Sequence, residues 1–187
     1  NVTVTNSDFI NTTAYNGGTI YNYGGNVTVT NSDFINTTAY NGGAIYNNWG
    51  NVTLLNSTFI NSSAGDTGGA IYTHDGIVNV INSIFTNSRG TTCGGAIYID
   101  VGSITVIGST FTNTSTTNNY SSLYGGGAIY TNRGNVTVTN SDFINTTSYC
   151  GGAIYTNMGN VTVTNSDFIN TVATDSGGAI YTGRGNV

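Results

Sequence analysis

Residues 1–18 read NVTVTNSDFINTTAYNGG, and the same eighteen residues return at positions 26–43. The first eleven recur at Asn135 and Asn160, and divergent copies open at Asn51 (NVTLLNSTFIN), Ile77 (IVNVINSIFTN) and Ser103 (SITVIGSTFTN). Successive copies start 25, 25, 26, 26, 32 and 25 residues apart, and the long step carries an insertion at 114–124. Seven full units fill the 187 residues, and Asn186-Val187 open an eighth. Self-similarity at a fixed period of this size is the mark of a stacked repeat architecture.

Each unit holds three short β-prone runs: V-x-V (Val2, Val4), S-x-F-x-N (Ser7, Phe9, Asn11) and GGAIY (Gly42 to Tyr46). Alternation places Val2 and Val4 on one face and Thr3 and Thr5 on the other. A 25-residue unit with three such runs has no room for a helix. The expected fold is all-β: a right-handed parallel β-helix of seven coils, rising roughly 34 Å at about 4.8 Å per coil.

Comparing copies within the chain shows what each column requires. Phe9, Phe34, Phe59, Phe85, Phe111, Phe143 and Phe168 never vary and read as an inward aromatic stack. Val2, Val27, Val52, Val78, Ile104, Val136 and Val161 form a β-branched ladder beside it. Asn11, Asn36, Asn61, Asn87, Asn113, Asn145 and Asn170 are expected to form an inward amide column bonded along the axis. A second column runs through Asn6, Asn31, Asn56, Asn82, Asn140 and Asn165, with Gly108 replacing Asn once. Asn and Gly share tolerance of left-handed backbone, so a positive φ is expected there.

Composition excludes several classes. Only 6% of residues are charged, eight Asp stand against three Arg with no Lys, and the formal net charge is −5. Nothing neutralises a phosphate backbone, so nucleic acid is not an expected partner. No apolar run is long enough to span a membrane as a helix. Asn, Thr and Gly fill almost half the chain, and Pro is absent.

Joined in 25-residue units, S-x-F-x-N and GGAIY resemble the repeats of chlamydial polymorphic outer-membrane proteins. They are still more similar to the Asn/Thr-rich adhesin-like β-helix proteins of methanogenic archaea and some bacteria. The resemblance covers the whole chain, with unit one departing slightly as GGTIY at Gly17 to Tyr21. It implies display on an extracellular cell surface and an adhesive, passenger or stalk role, and it does not imply a catalytic site; no enzyme activity and no cofactor are expected.

Candidate sites follow from the columns. Asp8/Asp33 and Asp142/Asp167 pair in adjacent coils at a separation resembling a retaining glycosidase, roughly 5 Å. Their near-identical surroundings, however, lack the asymmetry that acid–base work needs. A cation between stacked carboxylates is the alternative, with solvated acids the simplest reading. His74-Asp75 reads as a surface turn and not a metal site. The outward rows Thr3/Thr5, Thr28/Thr30, Thr137/Thr139 and Thr162/Thr164 suggest an ice-binding plane, but Leu55, Ile81 and Ile107 break the array. In GGAIY, Ile is expected inward and Tyr outward. This makes Tyr46, Tyr72, Tyr98, Tyr130 and Tyr155, with Tyr21 and Tyr181, a recognition row that could stack on sugar rings or pack on a partner protein.

Twelve Asn-x-Ser/Thr sequons occur; those in the inward column, such as Asn11 and Asn36, should be closed, and Asn119 in the insertion is the accessible glycosylation candidate. Cys93 and Cys150 occupy one column two coils apart, about 9.6 Å by strand spacing, too far for a disulfide. Both ends are in phase with the repeat and lack a capping sequence. The chain is therefore expected to be a fragment, or to abut another subunit head to tail.

Overall fold

The computed structural model describes residues 1–118 and 125–187. Among them every regular element is a β-strand, and every paired strand is parallel to its neighbours. The chain is a parallel β-solenoid of four sheets; each coil from the second on adds one strand to each sheet in turn, and the first adds a strand to three.

The first sheet, here the valine sheet, has seven strands from Val2–Thr5 to Val161–Thr164. The phenylalanine sheet follows, seven strands from Asp8–Ile10 to Asp167–Ile169. Six strands from Thr38–Ala39 to Val172–Ser176 make a short sheet, and seven from Ile20–Asn22 to Ile180–Arg184 make the isoleucine–tyrosine sheet. In the three seven-stranded sheets like residues stack without slippage (Val2 on Val27, Phe9 on Phe34, Ile20 on Ile45), while the short sheet shifts register between Ser148 and Cys150.

The strand trio expected from the repeat is therefore a quartet. Most strands of the short sheet are only two residues long, and its inward column (Ala39, Ala64, Gly90, Thr116, Ser148) is chemically mixed. No alternation betrays it. Backbone bonds between coils hold it, such as Thr38 N–H to the Thr12 carbonyl and Ser63 N–H to the Thr37 carbonyl, both 2.9 Å. The insertion expected at 114–124 also starts later, because Thr114 is buried and Ser115–Thr116 pair with Arg89–Gly90 as an ordinary layer.

Inside, each central coil contributes two aliphatics from the valine sheet, one Phe, and an Ala-Ile pair; Val27, Val29, Phe34, Ala44 and Ile45 have no exposed surface. The Phe rings stack face to face, with centroids 4.7–5.0 Å apart from Phe9 to Phe168.

The corners explain the polar columns. All seven residues of the Asn6 column lie in the left-handed region, including Gly108 at φ 58°, as the Asn/Gly exchange predicted. The Asn11 column is left-handed as well, with φ between 52° and 58°. That corrects the expectation of an inward column: a left-handed residue interrupts the alternation that Ser7 and Phe9 set up, so the amides swing out and the next residue (Thr37, Ser62, Ser88) turns in. The axial amide ladder itself is present, from Asn36 Nδ2 to Asn11 Oδ1 at 2.9 Å through to Asn170 Nδ2 to Asn145 Oδ1 at 3.1 Å. It is solvent-facing, so burial does not close the sequons at Asn11 and Asn36.

A buried serine staircase does the inward work. Ser32 N–H donates to Ser57 Oγ, Ser57 N–H to Ser83 Oγ and Ser83 N–H to Ser109 Oγ, at 3.0–3.2 Å. Each Oγ donates in turn to the carbonyl two residues earlier. These bonds satisfy corner backbone that would otherwise be buried unpaired.

Candidate functional site: the tyrosine face and its polar track

Ile of GGAIY points into the core and Tyr points out, as expected. In Tyr21, Tyr46, Tyr72, Tyr98, Tyr130, Tyr155 and Tyr181, each ring lies 4.7–5.2 Å from the next. Through the middle of the row they are within 6–11° of parallel. The row is not uniformly open. Tyr21 is 54% exposed, Tyr46, Tyr72 and Tyr98 are half-buried, and Tyr130 and Tyr155 fall to 6% and 2%.

This geometry corrects the expectation that the row stacks on sugar rings. Strand spacing and ring-stacking distance nearly coincide, so each inner Tyr spends both faces on its neighbours. What remains outward is ring edge and hydroxyl. Burial pushes the phenols up, to about 12 for Tyr72 and Tyr155 and further for Tyr98 and Tyr130, so the row presents neutral hydroxyls.

At Tyr130 and Tyr155 the tyrosine row borders the cysteine column. Thr67 bridges to Cys93, and Gly125 bridges to Cys150. The Gly125 carbonyl accepts from Gly94 N–H, which places coil five between the two thiols. Cys93 and Cys150 are buried and not disulfide-bonded, as their separation by a full coil predicted. They pack with Tyr130 and Tyr155, and burial raises the Cys93 thiol to about 12. A Cβ at Gly125 would lie 2.1 Å from the Cys150 carbonyl oxygen and 2.8 Å from Cδ2 of Tyr155, so the missing side chain makes room for the next coil's main chain and for that ring.

Two residues after the Tyr of the five inner coils comes an outward polar position, and here the repeat varies most: Asn48, His74, Asp100, Asn132, Asn157; the end coils carry Tyr23 and Gly183. These side chains form a track across adjacent coils. Asn157 Nδ2 donates to Asn132 Oδ1 at 3.0 Å, Asn132 Nδ2 donates to Asp100 Oδ1 at 2.8 Å, and His74 Nδ1 lies 3.2 Å from Asp100 Oδ2. His74 thus faces Asp100 of the next coil and not its neighbour Asp75, and its ring also meets Trp49 edge-on at 5.4 Å. One residue earlier the inward column serves the corner: Asn22 Nδ2 reaches both Asn47 Oδ1 and the Gly25 carbonyl at 2.6 Å.

Between this track and the end of the short sheet lies a concavity of about 450 Å³, lined by Asp66, Thr67, Thr92, Cys93, Tyr98, Tyr130, Asn132 and Asn157. Asp66 and Thr92 form its far rim, joined by Thr92 Oγ1 donating to Asp66 Oδ1 at 2.7 Å. Sequence reading found the Tyr column but missed Asp66, Thr92, Asp100, Asn132 and Asn157. The available signal was the loss of regularity at residues 62–69 (SSAGDTGG) and in the column after Tyr.

The other candidates lie elsewhere. Asp8 stacks on Asp33 and Asp142 on Asp167, in register on the outer face of the phenylalanine sheet. Among the described residues no group of three or more His, Cys or acidic side chains is placed to hold a metal ion, and no helix is long and apolar enough to cross a membrane. The outward Thr rows are interrupted by Leu55, Ile81 and Ile107 where the first sheet is central. Asn119 lies outside the described residues. An exposed aromatic group in the first two coils (Tyr15, Tyr23, Tyr40, Trp49) was not anticipated.

No protein-family profile matches this chain, and comparison with curated proteins and with solved structures yields no match.

Proposed function

We propose that this chain is a structural and adhesive segment of an extracellular surface protein: a stiff rod whose tyrosine face and polar track bind glycan without cleaving it. The supporting observation is the in-register stacking of the tyrosine column from Tyr21 to Tyr181, which lines one face with hydroxyls beside the Asp100–Asn132–Asn157 track. Such an array suits a repeating polymer, because each coil sets one tyrosine a single strand spacing from the last, while the track residue beside it varies from coil to coil. The paired acids Asp8/Asp33 and Asp142/Asp167 sit outside the concavity, on the solvent side of the phenylalanine sheet, which supports a solvating role over acid–base chemistry. The resemblance of the repeat to adhesin-like proteins favours the same reading.

Glycan-array binding of the purified chain, paired with a reducing-end assay on each bound polysaccharide, tests it. Retention of particular glycans with no new reducing ends is expected. A blank array, or steady release of reducing ends, would overturn the proposal.

A further inference from the structure

We propose that the concavity between the Asp66–Thr92 rim and the Asp100–Asn132–Asn157 track is a subsite for a single neutral pyranose unit, gripped through its hydroxyls. The inference rests on the glycan-binding reading above and adds a location, a ligand charge and a mode of contact.

The volume of about 450 Å³ lies in the range of small-ligand sites. The polar groups around it are only partly used by one another. Asp66 Oδ1 accepts the Thr92 hydroxyl, which leaves Oδ2 to accept from a ligand. Both Asn132 and Asn157 donate one amide N–H along the track, and each keeps a second N–H. The amides donate, the carboxylate accepts, and the Tyr98 and Tyr130 hydroxyls do either; that mixture matches a polyol, whose every hydroxyl is both donor and acceptor.

Charge narrows the class. Among the described residues no Arg lines the concavity, while Asp66 lines it and Asp100 underlies it through Asn132. A uronic acid, sulfate or phosphate would meet carboxylates without a cation. An apolar ligand would strip water from the amides and Asp66 and return no hydrogen bond. Aromatic stacking is also closed. Tyr98 is sandwiched between Tyr72 and Tyr130 at 5.1 and 5.2 Å, and Tyr130 lies between Tyr98 and Tyr155. Recognition here therefore works through hydrogen bonds to ring edges, hydroxyls and amides.

The test titrates the whole chain with neutral tetrasaccharides (cello-, manno-, xylo- and N-acetylchito-oligomers) and with oligogalacturonate, following affinity by calorimetry and contact by side-chain amide NMR shifts. At least one neutral oligomer should bind, shifting the amides of Asn132 and Asn157. Oligogalacturonate should bind at least tenfold more weakly. Asn132→Ala and Asp66→Asn should each weaken the neutral ligand about tenfold, roughly one charge-assisted or well-placed hydrogen bond. Asp167→Asn, on another sheet, should leave affinity unchanged, and a thermal melt of each variant confirms that it is folded. Binding of neutral oligomers that both site variants retain at full strength would sink the subsite and leave the broader reading intact. Preference for the anionic oligomer would sink it too. Failure of the unaltered chain to bind any oligomer would take down both.

Discussion

A methyl group added at Gly69 would sit 2.0 Å from the Gly95 carbonyl oxygen and 2.6 Å from the Arg89 backbone nitrogen. Its partner Gly68 adopts φ 65°, and a Cβ there would lie 2.2 Å from the Ile71 carbonyl oxygen. The Gly-Gly pair is thus fixed by two different causes, left-handed backbone at the first position and the next coil's main chain at the second. Gly69→Ala is expected to destabilise the chain by about 3 kcal/mol, the upper range for forced overpacking. Gly24→Ala, where nothing lies within 4 Å of the added atom, should stay within about 0.5 kcal/mol of the parent. Urea unfolding of the two variants decides the matter; equal midpoints would show that the steric account is wrong. At this scale the sequence was legible where one residue type answers one constraint. The Asn/Gly exchange at Gly108 announced a left-handed corner correctly. The direction of Asn11 was misread because alternation was carried through a corner that itself resets it.

Strand-level behaviour is set by neighbours along the axis. Phe85 is fully buried and touches Phe59 and Phe111 with centroids 4.8 and 4.7 Å away, so truncating it opens a void with ring faces above and below. Phe85→Ala should cost about 3–5 kcal/mol. Phe168→Ala, at a partly buried position with one ring neighbour in the stack, should cost visibly less. In a solenoid each coil couples mainly to the next, so the damage should also be local. Amide exchange is expected to quicken most in the coils around Phe85, and uniform acceleration along the chain would contradict nearest-neighbour coupling. Three of the four sheets could be read from the sequence because their inward columns repeat one kind of side chain: Val, Phe, Ile. The short sheet could not. Its strands are held by main-chain bonds between coils, and main-chain bonding leaves no mark on residue choice beyond tolerance of Ala, Gly, Ser and Thr. The polar track was hidden for a related reason, since its members face one another only once coils are stacked.

For the whole molecule, the stacked tyrosine row and the thiol beneath it link stability to alkaline pH. Burial raises Tyr72 and Tyr155 from the ordinary 10.0 to about 12, raises Tyr98 and Tyr130 further, and raises Cys93 from 9.0 to about 12. A group whose folded pKa lies above its unfolded value binds its proton more tightly when folded. Its contribution is complete below the unfolded pKa and is lost as pH climbs through the folded one. Stability from these groups should therefore hold up to pH 9, begin to fall as the unfolded Cys93 thiol ionises, and fall more steeply from pH 10 to 12 as unfolded phenols ionise. Urea midpoints measured by circular dichroism at half-unit steps from pH 7 to 12 should trace that two-stage decline. Cys93→Ala should shrink the first stage, leaving the part contributed by the Cys150 thiol, which burial also raises above 9.0. Tyrosinate absorbance of the folded chain should show a class of phenols titrating late, near or beyond pH 12. A midpoint that stays flat to pH 12, or that already falls by pH 8, would mean that the tyrosine row is not desolvated as the coil stacking implies.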